Sequence, residues 1–433
     1  MKLGVVRGIS YGVWGPPGEF VPQAKNLGAG LVRAYLYWGQ VERRPGEYDW
    51  TAVDALLAQA GDVEIWLTVC ASSTWATRQP TEFLPPSPPK DLGQYREFVR
   101  RLVERCAGRV TYWQCENEPS NTDLLWAGTA GEYVALLRTM REAVDTTMVL
   151  GGCGYDVLSS QPGSEPRCFF GQVLDEGRDY FDLFSVNLYG DAVPAYLADV
   201  RAMMREHGYE KQLVAGEIGG PVPFEFPEAL PAVGQAMASA QSERDAVLAL
   251  YAADLPDRLR MFLVDCPPEL EAKRHRIACR QLVTRTLLAL AGGVRETCYW
   301  HLAPETPGEI DPYQLMAVMF GKLNLLAYEG RELAHRNPAA DTFALLAGQL
   351  AGATGVTAVD EHAVRIDKDE PVLVVWAAGD TFDGEDVSPE PVELPWHAST
   401  ANAVDAFGKP ARVGVLDGKI RVQRTVTPVF ITV

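Results

Sequence analysis

The stretch Thr111 to Pro119, TYWQCENEP, sets β-branched and aromatic residues ahead of two carboxyls and a proline. Apolar β-formers that stop this abruptly describe a buried strand delivering Glu118 at its tip. Outward from it the same pattern recurs. VVRGISYGV from Val5, LVRAYLYW from Leu31 and VEIWLTVCA from Val63 precede it, while MVLGGC from Met148, DLFSVNLYG from Asp182, LVAGEIGG from Leu213 and ETCYWHLAP from Glu296 follow. Between them lie amphipathic stretches of helical period, such as TAVDALLAQAG, LGQYREFVRRLVERCAG, AGEYVALLRTMREAVD and RIACRQLVTRTLLALAGG. TFALLAGQLAG closes the series.

Strand and helix alternating with short connections is the signature of a parallel sheet covered by helices. Eight such repeats within residues 1–352 predict a (β/α)8 barrel, with TYWQCENEP as its fourth strand. A doubly wound open sheet is the alternative, but no GxGxxG or GxxxxGK[ST] follows any strand. Long, proline-containing connections follow strands three (Ser72 to Lys90), seven (Gly219 to Ala240) and eight (Ala303 to Arg336). All three leave C-terminal strand ends, the face on which barrels build sites. From residue 353 to 433 the pattern changes to short alternating segments, AVRID, PVLVVWAA, KIRVQR and PVFITV, which predict a small antiparallel β-sandwich.

Composition narrows the partners. A net charge of -18 over 433 residues, without a Lys/Arg run, disfavours nucleic acid and anionic membrane surfaces. The N-terminus MKLGVVRGISYGVW has no secretory pattern and no apolar run reaches membrane-spanning length, so a cytoplasmic protein is expected. Eight cysteines lack CxxC or Cys/His spacing and read as buried free thiols. The six histidines form no HxH or His/Asp set at strand ends, so neither metal nor cofactor is expected. The oligomeric state is left open.

The chemistry-bearing residues are Glu118 after strand four and Glu217 after strand seven. Those strands face one another across a closed barrel, so two carboxyls at their tips converge on one cavity. Facing carboxyls are the equipment of glycoside hydrolysis: one protonates the leaving oxygen, and the other attacks the anomeric carbon or activates water. Glu116, on the same strand face, competes with Glu118 but sits one step deeper, where pairing with a barrel charge is expected. Trp38, Trp75, Trp126 and Trp14 follow strands two, three, four and one, and are candidate sugar-stacking platforms.

Asn117-Glu118-Pro119 with Glu217 resembles clan A of the glycoside hydrolases, the retaining (β/α)8 enzymes, and the likeness spans the barrel. It implies Glu118 as general acid/base, Glu217 as nucleophile and Asn117 as a partner of the sugar 2-hydroxyl. It also implies Arg33 as the brace of the nucleophile, Tyr189 as a tyrosine approaching it, and Trp300 as the floor of the sugar subsite. The chain departs from the clan at Asn187, where a histidine is usual, and at Cys70-Ala71-Ser72 after strand three; those positions shape the sugar pocket. The resulting expectation is a retaining β-glycosidase with a carbohydrate substrate. The alternatives are a barrel that binds carbohydrate without turnover, or another chemistry on the same fold.

Overall fold

Eight strands pair in parallel and close on themselves: β1 (Leu3–Val6), β2 (Leu31–Tyr37), β3 (Glu64–Cys70), β4 (Tyr112–Cys115), β5 (Thr147–Cys153), β6 (Leu183–Leu188), β7 (Gln212–Ile218) and β8 (Thr297–Tyr299). Closure is made by β8 against β1, with Leu3 opposite Thr297 and Val5 opposite Tyr299. The computed structural model describes every residue except 14–17, 123, 304–312 and 330–331, and the side chain of residue 239. Trp14 therefore lies outside the described residues.

Two packed layers explain why the strands read as nearly unbroken apolar runs. Val32, Ala34, Leu36 and Trp38 face outward into the main core, together with Tyr95, Phe98 and Leu102 of the helix Leu92–Cys106. Leu31, Tyr35 and Tyr37 face inward with Trp66, Val149, Val214, Tyr189 and Trp300. The alternation comes from the two-residue period of a strand, which turns Arg33 inward as well. Local signals set the helix starts: Asp91 caps Leu92–Cys106, and Thr129 and Glu132 form a reciprocal capping box on Ala130–Ala143.

The connection between β7 and β8 is richer than its sequence suggests. It holds a 3-10 turn (Pro223–Glu225), the helices Ala229–Ser239, Glu243–Ala252 and Asp257–Arg260, and then the helix Pro268–Ala291. That last helix begins well before the Arg276 at which periodicity first declares it, because Pro267 and Pro268 open it and Glu269 and Glu271 occupy its first turn.

After the closing helix Pro338–Leu350, the chain folds into two antiparallel sheets. The strands are β9 (Gly355–Asp360), β10 (Ala363–Asp367), β11 (Val372–Val375), β12 (Glu390–Pro395), β13 (Asn402–Asp405), β14 (Val413–Leu416), β15 (Lys419–Arg424) and β16 (Val429–Thr432). One sheet has the order β9-β10-β11-β16-β13 and the other β12-β15-β14. Their inner faces share a core of Leu373, Val375 and Ile431 against Trp396, Ile420 and Val422, which makes a β-sandwich. Trp376 is buried.

Six of the eight cysteines are buried; Cys168 is exposed and Cys266 half-buried, and all are free thiols. No helix among the described residues is long and apolar enough to cross a membrane.

Candidate active site

β2 supplies the cation at the centre of the site. Arg33 is fully buried inside the barrel, an expensive position for a charge unless every donor is used. Its Nε donates to the Thr68 hydroxyl at 3.1 Å, Nη1 to the Gly216 carbonyl at 2.9 Å and to Glu217 Oε1 at 3.1 Å, and Nη2 to Asn117 Oδ1 at 2.7 Å. A single guanidinium thus ties β3, the tip of β4 and β7 together. Its planar fork is what makes this possible. Gly216 admits it, because a Cβ there would meet Nη1 at 2.9 Å and would also run into the Ser185 hydroxyl.

Glu217, at the end of β7, is only 5% exposed. Besides Arg33, its Oε1 accepts from the Tyr35 hydroxyl at 3.1 Å, and its Oε2 accepts from the Tyr189 hydroxyl at 2.8 Å. With both oxygens held from three sides, the carboxylate has a fixed orientation.

Glu118 stands just past β4, with a left-handed backbone (φ 43°) shared by Glu116 (φ 56°). Non-glycine residues in that region cost of order 1 kcal/mol or more each and cluster at functional sites. Glu118 Oε1 accepts from Asn187 Nδ2 at 2.6 Å. Burial, then the neighbouring Glu217 carboxylate and then Asp156, push the Glu118 carboxyl well above the usual range, against the Asn187 donor. Asp156, on the short helix Tyr155–Leu158 after β5, is itself raised by burial although Ser120 donates to its Oδ2 at 2.7 Å. Gly154 makes the close approach possible: a Cβ there would lie 2.7 Å from Asp156 Oδ1 and 2.7 Å from Glu118 Cδ.

At this mouth Tyr189 packs on Phe224 and Phe320, with ring centroids 5.8 Å apart in each pair, and Phe224 packs on Tyr155 at 4.6 Å. Trp300 joins through Phe320 at 6.2 Å, and its buried indole N–H meets no acceptor among the described residues. Such an aromatic wall with a few aimed polar groups suits a ligand with apolar faces and hydroxyl edges.

The same architecture occurs in solved glycoside hydrolases. A family 39 glycoside hydrolase from Bacteroides cellulosilyticus WH2 matches with a TM-score of 0.66 at 14% identity, covering 100% of this chain and 80% of that one. The arabinofuranosidase AbfB of family 51 from Bifidobacterium longum matches at 0.59 and 13%, and a glucosidase from Croceicoccus marinus at 0.58 and 14%; each covers 100% of this chain and 95% of its own. No protein-family model and no curated protein matches the sequence. At these identities the likeness is one of fold.

The structure therefore brings together Arg33, Asn117, Glu118, Asn187, Tyr189, Glu217 and Trp300. It does not bring Trp38 with them. Trp38 is fully buried on the outer side of β2, stacked on Phe98 at 5.5 Å, with its Nε1 donating to Glu42 at 2.7 Å. β2 ends at Tyr37, and Trp38 opens the short helix Trp38–Val41, which turns its ring into the outer layer beside Leu36, Tyr95 and Phe98. Trp75 packs edge-on against Trp38 at 5.6 Å and donates to the Glu42 carbonyl at 2.8 Å, so it too belongs to the outer layer. Trp126 is buried against Tyr133. Position after a strand was the misleading cue, because it says nothing of which face the ring takes.

Glu116 also differs from expectation. It pairs with no charge among the described ion pairs; its Oε1 accepts from the Ala71 amide at 2.6 Å, and burial pushes its carboxyl up to about 8. A backbone donor and an added proton solve the burial problem without a cation. His301, next to Trp300, is buried and pushed down to about 3 by burial and by Arg7, so it is neutral. Tyr35, Asp156, Phe224 and Phe320 escaped sequence reading; only Tyr35 had a signal, two residues beyond Arg33 on the same strand face.

Proposed function

We propose that this chain is a retaining glycoside hydrolase that cleaves β-glycosidic bonds by double displacement, with Glu118 as acid/base and Glu217 as nucleophile. One observation carries the reading. Two carboxyls from opposite strands share a site in which one, buried beside the other's charge, is pushed above the usual carboxyl range and the other is held from three sides by donors.

The chemistry follows from that asymmetry. A Glu217 oxygen forms a bond to the anomeric carbon as the bond to the leaving oxygen breaks and Glu118 gives that oxygen its proton. Esterification removes the Glu217 charge, and with it one of the causes that keep Glu118 protonated, so Glu118 can next take a proton from water. The water oxygen bonds to the anomeric carbon, Glu217 departs as carboxylate, and the sugar leaves with its starting configuration. Arg33 and the two tyrosine hydroxyls orient Glu217 and stabilise its returning charge. The Asn117 carbonyl oxygen is taken by Arg33, so what Asn117 offers the sugar 2-hydroxyl is its NH2 group.

Asn187 differs from the usual histidine in being unable to carry charge, and here it serves Glu118 directly. Trp300 contributes its indole N–H and ring to the sugar site. The fold shared with glycosidases of families 39 and 51 supports the class of reaction.

The test begins with a panel of nitrophenyl glycosides to find a substrate. Glu217→Ala should then lose turnover by at least about 10⁴-fold, and azide should restore a glycosyl azide of inverted configuration. Undiminished turnover would refute the pair; binding without turnover across the panel would mark a carbohydrate-binding barrel.

A further inference from the structure

Arg285 is the second fully buried arginine that bridges catalytic-face loops, and it lies outside the site described above. It projects from the helix Pro268–Ala291 on the outer layer and is 1% exposed. Its Nε and Nη2 donate to Asp191 Oδ1 at 3.0 and 2.8 Å. Nη1 and Nη2 donate to Glu225 Oε1 and Oε2 at 3.0 and 2.6 Å, and Nη1 also donates to the Gly219 carbonyl. These five bonds use all five N–H donors of the guanidinium.

The acceptors matter more than the count. Gly219 is two residues beyond Glu217, and Glu225 follows Phe224, whose ring packs on Tyr189. Asp191 is two residues beyond Tyr189, on the β6 loop. Arg285 thus grips the loops after β6 and β7 just where they deliver the two groups bonded to each other, Tyr189 and Glu217. Gly220, with φ +149°, is shaped for this: a Cβ there would collide with Arg285 Nη1 and Gln281 Oε1. Gln281 adds a bond from its Nε2 to Glu225 at 2.9 Å.

The chain of contacts then leaves the barrel. The Thr381 hydroxyl of the sandwich domain donates to Asp191 Oδ2 at 2.8 Å. Partial desolvation works against the Asp191 carboxylate, whose side chain is still 56% exposed, but Arg285 and Thr381 hold it below the ordinary range. The segment carrying Thr381 is pinned close by, where Glu385 accepts from Arg276 Nη2 at 2.7 Å and Arg280 Nη1 at 2.8 Å, and Asp383 accepts from Arg258 at 2.9 Å.

We propose that Arg285 is a positioning residue for the nucleophile, and that through Asp191 and Thr381 the sandwich domain forms part of the catalytic apparatus rather than a passive brace. This rests on Glu217 being the nucleophile. It assigns the 380–386 segment a functional duty: to keep the β6 and β7 loops at the separation at which Tyr189 meets Glu217. Small errors of placement at a reacting carboxylate carry large rate penalties.

The test uses the full chain, with Arg285→Lys and Thr381→Val. Lysine keeps the charge but cannot span three acceptors in a plane; valine removes one hydroxyl and little volume. Hydrogen–deuterium exchange should show amides between Ile218 and Phe226 exchanging about tenfold faster in Arg285→Lys, and measurably faster in Thr381→Val. On the best nitrophenyl glycoside, kcat should fall by about tenfold or more in Arg285→Lys and about threefold in Thr381→Val, with KM within about twofold of the unmodified chain. Unchanged exchange in both variants, or unchanged kcat in both, would overturn the proposal. If the unmodified chain turned over no glycoside, the Glu118/Glu217 reading would fail instead, and the exchange comparison would still decide whether Arg285 fixes the loops.

Discussion

Glu217 receives a guanidinium from below and a phenol on each oxygen, and the two phenols come from different strands. Each is therefore a separate handle. Tyr35→Phe and Tyr189→Phe should each lower kcat/KM by about 10- to 100-fold, roughly 1.4 to 2.7 kcal/mol of transition-state stabilisation, in steady-state assays. Normal turnover in either would remove that tyrosine from the mechanism. Glu118 sets the pH response. Its carboxyl is raised by burial and by Glu217, so on the proposed mechanism activity is lost as pH rises through that raised value. A pH profile of kcat/KM should show that basic limb above the ordinary carboxyl range, and Glu118→Gln should abolish it on substrates with activated leaving groups. At this scale the charged residues were legible, since Glu118 and Glu217 stand at the C-terminal ends of β4 and β7 and Arg33 interrupts the apolar run of β2. The sequence did not show Asp156 or Phe224, because a short helix and a 3-10 turn aim those side chains and no period announces either.

A strand's two faces decide what its residues can do, and β2 shows both outcomes. Arg33 and Tyr35 enter the site, whereas Ala34 and Leu36, and Trp38 just beyond the strand, enter the layer beneath the helix Leu92–Cys106. Trp38→Ala should cost about 3–5 kcal/mol in chemical unfolding while leaving KM within about twofold. A large KM effect with unchanged stability would make it a substrate platform after all. Just past β4, Glu116 provides a pH signature. Its folded carboxyl titrates near about 8 against an ordinary 4.5, so its stabilising contribution is complete below 4.5 and is lost as pH rises to about 8. Glu116→Gln should flatten that decline, by roughly 1 kcal/mol per pH unit within the window, in denaturant melts across the range. Identical slopes would show that Glu116 ionises normally. Strand count, order and the closing helix were legible because period-2 and period-3.6 patterns are strong there. Between β7 and β8 the body of Pro268–Ala291 was legible from Arg276 on, but the helices Ala229–Ser239, Glu243–Ala252 and Asp257–Arg260 were not, since Pro221, Pro223, Pro227, Pro231 and Pro256 read as loop.

Across the molecule, the barrel and the sandwich meet through charge. Glu385, with little exposed surface, sits among Arg276, Arg280 and Lys273. Burial opposes its ionisation, but those arginines hold its carboxyl down at about 2, so this contribution is present above 4.5 and is lost as pH falls towards about 2. Glu385→Ala should lower stability by roughly 2 kcal/mol or more in calorimetry, because three cations lose one shared partner. An unshifted melting temperature would mean the domains are held by other contacts. The acidic composition gave no hint that scattered arginines on one long helix serve the domain junction, because pairing across such distances follows from tertiary placement alone.

The most direct measurement is covalent trapping: incubate the chain with the 2-deoxy-2-fluoro aryl β-glycoside matching its best substrate, digest it, and locate the label by mass spectrometry. One stoichiometric glycosyl adduct on Glu217 is expected, absent from Glu217→Ala and preserved in Glu118→Gln. Turnover of the parent substrate without an adduct, or an adduct on any other carboxyl, would contradict the assignment of Glu217 as the nucleophile of a retaining glycosidase.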